Sequence, residues 1–454
     1  MNIITISYSK TFSDTRVMKY IQFYLEKSFN ITCFGLDDND NNYLYRNKNF
    51  KYESINLGSG KDYNKINYKS NFTKLFFKLL ILAIIFLIFK VINKTIDNLE
   101  LNLLNKFFLN FNFVLLLMFL FFFRKKLLFL KRLLTFTKRL NHFYNEIIFL
   151  LERGENKKNF DIIHTHDLWT ILVALKVKKK FPNAKLIVDL HELYSELPEQ
   201  NFFRKKLAQI FLFYLKFNKQ KIFKFITINN QIKNYYVRKY QFTPITTINN
   251  SCPEGDKKSD FKININKILK NLKKERKKIL MYHGGISLNR GVIEICKFFT
   301  ECEIKDWVFY IMGSGKETEQ IKELIDQNIK NNIFLTNPVK LNELEHYSSF
   351  ADMGLINYKN NCLNHNYCTP NKLWEYSRAS LPMLLSNCTS FIELNKKYNF
   401  GKIIDDKNYD GLQKVFLNLT NEELQKLSAN SRKFYMKENW EVEKKKIDRE
   451  ILVL

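Results

Sequence analysis

Short runs of β-branched and aliphatic residues alternate with amphipathic stretches along most of the chain. In the first half, this alternation predicts strands at Ile3–Ser7, Ile31–Gly35, Asp161–His164, Lys185–Asp189, Phe223–Ile228 and Pro244–Ile248. It predicts helices between them at Asp14–Lys27, Ile171–Lys180, Phe202–Phe217 and Gln231–Tyr240. Strands that alternate with helices are typical of βαβ units and parallel sheets.

The same pattern restarts after a polar, Lys-rich junction at Ser251–Lys278. The predicted strands of this second block are Ile279–His283, Trp307–Met312, Ile333–Leu335, Gly354–Ile356 and Pro382–Ser386. The predicted helices are Val292–Thr300, Glu317–Ile329, Leu341–Phe350 and Lys372–Ala379. We therefore expect an α/β protein with two Rossmann-like doubly wound domains.

One interval, Phe72–Leu150, departs from the alternation. It contains two strongly apolar segments, Leu79–Phe89 and Phe107–Phe123, each shorter than the roughly 20 residues of a spanning helix. Arg124–Leu140 then repeats basic and apolar residues at helical spacing, as in a helix lying on anionic lipid. Three interpretations stay open: a helical insertion buried on the sheet, two spanning helices, and the favoured one, a shallow membrane-dipping hairpin with a basic collar.

The chain has 454 residues and a net charge of +28, from 73 Lys and Arg against 45 Asp and Glu. Such a charge favours an anionic partner, either nucleic acid, a membrane or a phosphorylated substrate. The interval from Lys61 to Leu150 contributes +11, and Asn201–Tyr240 holds ten basic residues and no acid. This localisation favours an anionic membrane and a phospholipid-linked acceptor over nucleic acid.

The seven scattered cysteines form no CxxC pair, so we expect reduced thiols. No basic leader precedes an apolar stretch at the N-terminus, so we expect no signal peptide.

Three short motifs do not support metal or phosphate-loop chemistry. Gly313–Lys316 resembles the end of a P-loop, but Tyr310 stands where that motif needs its first glycine. Asp38-Asn39-Asp40 has the spacing of a metal–nucleotide site, but lies in a polar run typical of a solvated turn. His164 and His166 share one face of an extended segment without further ligands at metal-site spacing, so we expect no metal site.

The remaining polar residues lie where predicted strands meet helices, and ligands of doubly wound sheets bind outside the carboxyl ends of the strands. Glycines let a phosphate approach the backbone, and arginine or lysine neutralises its charge. Together these junctions predict a nucleotide-diphosphate site. They are His164–Asp167, His191-Glu192, His283–Gly285 with Arg290-Gly291, Gly313–Gly315, and Thr369–Lys372 with Glu375 one turn into the next helix.

These segments resemble the retaining family-four glycosyltransferases of the GT-B fold (glycosyl transferases group 1). The resemblance rests mainly on Tyr282–Gly285 with Arg290-Gly291, Ile311–Gly315, Val188–Glu192 and, as the most specific piece, Thr369–Tyr376. The opening Asp14–Val17 and the closing Asn439–Glu441 also fit. The resemblance covers nearly the whole chain apart from Phe72–Leu150.

The resemblance implies an N-terminal acceptor domain (1–250), a C-terminal donor domain (251–430) and a final helix (431–454) that crosses back. It implies His191, Arg290 and Lys372 as catalytic residues and no metal or cofactor besides a UDP- or GDP-sugar as donor substrate. Donor-binding residues would be Gly284, Gly285, Gly313, Thr369, Pro370, Asn371 and Glu375. Acceptor-side residues would be His164, His166, Asp167 and Glu192.

The family pattern is not intact in this sequence. Tyr367 occupies the first acid position of the family's Glu-x7-Glu motif, whose second acid is matched by Glu375, and Gly284 stands where many members have an arginine. We nevertheless expect a metal-independent, retaining hexosyl- or N-acetylhexosaminyltransferase. It would act on a lipid-linked acceptor at the cytoplasmic face of the plasma (inner) membrane, in lipopolysaccharide, capsule or glycolipid synthesis. The alternatives are a nucleotide-sugar epimerase of the same fold and a non-enzymatic basic protein that binds membrane or nucleic acid.

Overall fold

The computed structural model describes most of the chain outside the hydrophobic interval. The described residues are 1–36, 47–56, 129–153, 159–198, 202–254, 267–302, 304, 306–328, 330–340, 343–405, 409 and 411–452. Asp38–Asp40 and both apolar segments of Phe72–Leu150 lie outside them. Among the described residues, no helix is both long and apolar enough to cross a membrane.

The N-terminal domain is built on a parallel sheet of seven strands in the order β3-β2-β1-β4-β5-β6-β7. The strands are β1 Asn2–Lys10, β2 Asn30–Leu36, β3 Phe50–Ile55, β4 Ile162–His166, β5 Lys185–Asp189, β6 Lys224–Thr227 and β7 Ile245–Thr247. The chain runs outward from β1 in one direction and then returns to place β4 on its other side. This reversal opens a crevice at the carboxyl ends of β1 and β4, where such sheets bind ligands.

Helices cover both faces of this sheet. They are α1 Thr15–Glu26, α2 over residues 129–153, α3 Ile171–Lys180, α4 Phe202–Phe217 and α5 Asn230–Tyr240. Helix α1 begins at Asp14, whose carboxylate accepts hydrogen bonds from the backbone N–H groups of Arg16 (3.0 Å) and Val17 (3.2 Å). Helix α2 packs on β1 through edge-to-face contacts of Phe136 and Phe143 with Tyr8. This described part of the interval is therefore a helix packed on the sheet.

The C-terminal domain repeats the plan with six parallel strands in the order β10-β9-β8-β11-β12-β13. The strands are β8 Lys278–Ile286, β9 Trp307–Gly315, β10 Ile333–Thr336, β11 Met353–Ile356, β12 Met383–Ser386 and β13 Gly401–Ile404. The helices are α6 Lys267–Lys274, α7 Val292–Glu301, α8 Thr318–Asp326, α9 Leu344–Ser348, α10 Leu363–Tyr367, α11 Lys372–Arg378, α12 Thr389–Tyr398, α13 Leu412–Asn418 and α14 Asn421–Glu438.

The last helix, α15 Trp440–Glu450, leaves the C-terminal domain and packs on the N-terminal one. The break lies at Asn439, whose side chain caps α15, and the Trp440 N–H donates to Cys252 O at 3.3 Å. Trp440 and Ile447 are buried in one apolar cluster with Tyr20 of α1 and Ile3 of β1. The crossing therefore comes at Asn439 and not at residue 431, which lies inside α14.

The predicted fold class, two doubly wound α/β domains, is confirmed. Most predicted elements differ from the observed ones by one to three residues. The sequence pattern missed β3, β13, α6 in the polar junction, the short helix α10, the helices α12 and α13, and the first half of α14. The predicted helix Leu341–Phe350 is longer than the observed α9, which begins at Leu344 and ends at Ser348.

Candidate functional site

The carboxyl ends of β8 and β9 bring two glycines, Gly284 and Gly313, opposite each other in the sheet. Gly284 has φ +109°, and a Cβ added there would lie 2.9 Å from the Lys372 Nζ. A Cβ added at Gly313 would lie 2.3 Å from the Gly284 carbonyl oxygen. Only glycine fits both positions without displacing the backbone or the lysine. The result is a bare stretch of backbone with a lysine ammonium beside it.

Two cations, Lys372 and Arg290, stand beside this stretch. Lys372 is the first residue of α11, and its Nζ lies 5.3 Å from the centroid of the Tyr282 ring. The Arg290 guanidinium stacks on Tyr358 with its Cζ 3.8 Å from the ring centroid. Burial and the Arg290 charge lower the pKa of Lys372 to about 8. Since neither forms an ion pair with a carboxylate of the described residues, a bound anion would relieve both charges.

Glu375 lies one turn into α11 and is 8% exposed. Its Oε2 is 3.5 Å from His283 Nε2, and burial raises the pKa of its carboxyl although Lys372 and Lys19 act to lower it. A cavity of about 430 Å³ opens above these groups. Its lining comprises Asn250, His283, Gly284, Met312, Pro338, Val339, Leu344, Tyr358, Pro370, Asn371, Lys372 and Glu375. The lining combines apolar side chains with the Glu375 carboxylate and the Lys372 ammonium, a set that suits a base, a ribose and a diphosphate.

The loop that precedes α11 is held by the other domain. The Asn371 Nδ2 donates to Thr15 Oγ1 at 3.1 Å, and the Asn229 Nδ2 donates to Thr369 Oγ1 at 3.2 Å and to the Tyr367 carbonyl at 2.6 Å. The Tyr367 side chain lines a second cavity, beside Arg238, and is not among the residues that line the first. The residue at the family's first acid position therefore does not reach the candidate donor cavity.

The N-terminal domain contributes His191, which follows β5 and stands beside Asp167, which follows β4. His191 Nε2 is 3.3 Å from Asp167 Oδ1, and the Tyr194 hydroxyl donates to the same oxygen at 2.7 Å. Burial acts to lower the pKa of His191, but the carboxylates of Asp167 and Asp189 outweigh it and raise the pKa. Asp167 has φ +71°, an unusual angle for a non-glycine residue and one typical of functional sites.

Glu192 points from the N-terminal domain toward the same region. Burial raises the pKa of its carboxyl, while His191 and, from the opposite domain, Arg290 act to lower it. Its backbone is fixed on both sides: the Tyr236 hydroxyl donates to the Glu192 carbonyl, and the Leu193 N–H donates to Asn364 Oδ1 at 2.7 Å. The predicted acceptor-side residues Asp167 and Glu192 thus stand near the predicted catalytic His191.

His164 and His166 do not share this position. Both are fully buried, with His164 Nδ1 2.9 Å from the Tyr24 hydroxyl and the two imidazole rings 4.2 Å apart. Their predicted place on the acceptor side therefore does not hold in this structure, because β4 turns both rings inward against α1. Sequence spacing alone could not show this inward orientation.

The two histidines and Asp189 form a buried cluster whose ligand atoms lie within 4.8 Å of one another. Both oxygens of Asp189 are already bound by Arg16, through Nε at 2.7 Å and a terminal nitrogen at 3.0 Å. A cation would have to displace this guanidinium, so the cluster does not fit a metal ion in this arrangement. The ion pair between Arg16 and Asp189 instead connects α1 to the end of β5.

Lys19 is a buried cation near the cavity that the sequence reasoning missed. Its Nζ donates to the Ser251 carbonyl at 2.6 Å and to Asn250 Oδ1 at 3.3 Å. Burial and the neighbouring Arg16 lower the pKa of Lys19 to about 8. It lies one helical turn beyond Thr15, but the contact of Thr15 with Asn371 joins residues far apart in sequence, so no local signal marked Lys19. Asn229 and Asn250 were missed because their partners are distant in sequence.

Two family models match separate parts of the chain. Residues 264–434 match the family described as Glycosyl transferases group 1, and residues 122–253 match Glycosyltransferase Family 4. No curated protein matches the chain. The first match contains every lining residue of the candidate donor cavity except Asn250, and the second contains Asn250, His191 and the neighbours of His191.

Several solved structures resemble the whole chain at low sequence identity. Sucrose-phosphate synthase from Thermosynechococcus elongatus has a TM-score of 0.65 at 11% identity, covering 99% of this chain and 98% of its own. Anabaena HepE in complex with UDP-glucose has a TM-score of 0.64 at 9% identity, covering 100% of both chains. An α,α-trehalose-phosphate synthase (UDP-forming) from Burkholderia vietnamiensis has a TM-score of 0.63 at 10% identity, covering 98% of this chain and 96% of its own. At these identities the similarity shows the GT-B fold.

Proposed function

We propose that this chain, which the two family models and the GT-B fold support as a glycosyltransferase, transfers a sugar from a nucleotide-sugar donor with retention of anomeric configuration. One observation carries the proposal: Gly284, Lys372 and Glu375 line one cavity, and Arg290 stacks on Tyr358, which lines it too. Bare backbone and two cations suit a diphosphate, and a buried carboxylate suits ribose hydroxyls. UDP is the first nucleotide to test, because HepE of the same fold was solved with UDP-glucose.

The reaction needs the leaving diphosphate to be stabilised while the glycosidic bond breaks. Lys372 and Arg290 meet the negative charge that develops on the diphosphate, and no metal ion is required in this proposal. The acceptor hydroxyl attacks from the face that the diphosphate leaves and passes its proton to an oxygen of the departing diphosphate, so the configuration at the anomeric carbon is kept. His191, held by Asp167, orients the transferred sugar. The Thr369–Asn371 loop contributes backbone groups at the phosphates.

For the acceptor we propose a lipid-linked saccharide at an anionic membrane, the cytoplasmic face of the plasma (inner) membrane. A hexosyl or N-acetylhexosaminyl transfer would then serve the synthesis of a lipopolysaccharide, capsule or glycolipid. The support is the charge distribution, because Asn201–Tyr240 holds ten basic residues and no acid. Asp167 and Glu192 lie on the N-terminal side of the cleft, where this acceptor would enter.

A thermal-shift titration with UDP-, GDP-, ADP- and CMP-sugars tests the donor site, because a ligand that binds the folded state raises its Tm. We expect one nucleotide class to stabilise the wild-type protein. Glu375→Ala should lose most of that shift, whereas Glu319→Ala, at a side chain that is 77% exposed on α8, should keep it. If no nucleotide sugar shifts the Tm, or if Glu375→Ala responds like the wild type, the site assignment fails.

The reaction type needs a second measurement. Incubating the donor without acceptor separates a transferase from an epimerase of the same fold. A transferase leaves the donor sugar's configuration intact, and anomeric NMR of the transferred product then reports retention or inversion. Formation of an epimeric nucleotide sugar would contradict the proposal.

A further inference from the structure

Helix α4 is apolar on its outer side as well as on its inner side. Leu207, Phe211, Leu212 and Leu215 are buried in the core of the N-terminal domain. On the opposite side are Phe202 (72% exposed), Ile210 (42%), Phe213 (50%), Tyr214 (42%) and Phe217 (75%). Ile210, Phe213, Tyr214 and Phe217 recur at one-turn spacing and form a stripe along the second half of the helix, and Phe202 stands at its start. An exposed apolar stripe of this length marks an interaction surface.

Helix α2 lies beside α4 and extends this surface. Phe129 contacts Phe203 with ring centroids 5.2 Å apart, and Phe136 contacts Phe211 at 5.7 Å. The two helices therefore run in the same direction over the same face of the sheet. Leu130 (49% exposed) and Leu134 (54% exposed) add apolar area on the outward side of α2. We call the outward sides of α4 and residues 129–140 of α2 the outer face.

The two helix segments that form the outer face carry only positive charges. Residues 202–217 of α4 include Arg204, Lys205, Lys206 and Lys216 and no acid, and residues 129–140 of α2 include Lys131, Arg132, Lys138 and Arg139 and no acid. Long basic side chains beside an apolar stripe suit an anionic bilayer, because their stems lie along acyl chains while their heads reach the phosphates. Apolar groups alone would suit any hydrophobic partner, but the uniform positive charge selects an anionic one.

The chain topology places this surface next to the cleft. Helix α4 follows β5, so it begins at the carboxyl edge of the sheet, on the side of His191. Helix α2 leads into β4, so it ends at the amino edge and begins at the carboxyl edge, on the side of Asp167. The two helices therefore start beside the candidate acceptor side.

We propose that the outer face lies in the interface of an anionic bilayer, with both helix axes parallel to the membrane plane and Phe202, Phe213 and Phe217 among the acyl chains. This inference rests on the proposed function, since it names the surface through which a lipid-linked acceptor would reach the cleft. The partner is the bilayer itself, through its anionic headgroups and acyl chains.

Vesicle flotation of the full chain tests the inference. The probes are phosphatidylcholine vesicles with and without about 30% phosphatidylglycerol. Each interfacial phenylalanine that inserts in part contributes on the order of 1 kcal/mol, so Phe202→Ser/Phe213→Ser/Phe217→Ser should bind the anionic vesicles at least tenfold more weakly. The matched control is Ile392→Ser/Leu417→Ser/Met436→Ser, which removes C-terminal-domain side chains of 43%, 65% and 52% exposure and should stay within twofold of the wild type.

The charge is tested separately. Arg204→Gln/Lys206→Gln/Lys216→Gln should also bind anionic vesicles at least tenfold more weakly, since each basic residue near an anionic surface contributes about 1 kcal/mol. Its binding to neutral vesicles should not change. Hydrogen exchange should show that anionic vesicles protect residues 202–217 and not α12.

Three results would overturn the inference: unchanged vesicle binding by the phenylalanine variant, equal binding of the wild type to neutral and anionic vesicles, or a self-associating protein that the phenylalanine variant converts to monomer without any vesicle binding. The nucleotide-sugar Tm shift separates this inference from the proposed function. A chain that binds anionic vesicles through the outer face but no nucleotide sugar would refute only the proposed function.

Discussion

Replacing Lys372 by methionine removes one positive charge from the candidate donor cavity and keeps most of the side chain's volume. A diphosphate oxygen about 4 Å from Nζ would interact with about 4 kcal/mol at an effective dielectric constant near 20. Part of this is lost to desolvation, and hydrogen bonds to charged groups contribute about 1.5–3 kcal/mol net. We therefore expect UDP to bind the Lys372→Met protein about 10- to 150-fold more weakly.

The pH dependence gives this prediction its sign. Burial and Arg290 lower the pKa of Lys372 to about 8, so the free protein loses this charge as pH rises above that value. Because the diphosphate binds the charged form, the wild-type affinity for UDP should fall about fivefold from pH 8 to pH 9. The Lys372→Met protein should show a smaller change over the same range.

The stability of the ligand-free protein should rise with pH over a range in which the affinity for UDP falls. Between pH 8 and the ordinary lysine pKa of 10.5, the unfolded chain holds more protons at this position than the folded one. The stability contribution of Lys372 is therefore unfavourable at pH 7 and improves as pH rises through that window. Lys372→Met should accordingly raise the Tm at pH 7 while it weakens UDP binding.

Isothermal titration calorimetry with UDP at pH 7 to 9, and thermal unfolding without ligand, measure both effects. Lys414→Met, at an exposed lysine of α13, is the control and should match the wild type in both assays. A Lys372→Met protein that binds UDP within twofold of the wild type, together with a wild-type affinity that is flat from pH 7 to 9, would refute the reasoning.

Two further predictions concern the contacts around the cleft. Asn229→Asp keeps the side-chain oxygen that caps α5 but loses the amide that donates to the Tyr367 carbonyl and Thr369 Oγ1. We expect a several-fold rise in the donor KM with an unchanged Tm. A large fall in Tm with no kinetic change would contradict this expectation. Arg16→Met leaves the Asp189 carboxylate buried without its partner, which should cost about 3–5 kcal/mol in urea unfolding at pH 7. Lys27→Met breaks an exposed pair with Asp448 and should cost less than about 1 kcal/mol, so equal losses for the two variants would contradict the burial argument.

The sequence determined the fold class and several of the residues that line the candidate donor cavity. Hydrophobic periodicity is a local property, so it located α3, α4 and β5 at their observed bounds and separated the two domains. Gly284 lies at the carboxyl end of β8, where parallel sheets bind ligands, so its place was predictable without coordinates. Lys372 and Glu375 lie in α11, which follows the helix α10 and not a strand, so only the family resemblance implied their place beside Gly284. The missed helix α10, with five residues, is too short to carry a periodic signal.

Tertiary structure alone decided which polar residues face the cleft and which are buried. His164 and His191 both follow the same strand-end pattern, yet β4 turns His164 inward while His191 stands beside Asp167. Lys19 and Asn229 have their partners more than a hundred residues away. The inner and outer sides of α4 are equally apolar in sequence, and only packing shows that Phe213 is exposed while Phe211 is buried. Side-chain direction and long-range pairing depend on how the elements pack against one another, and no local pattern encodes that.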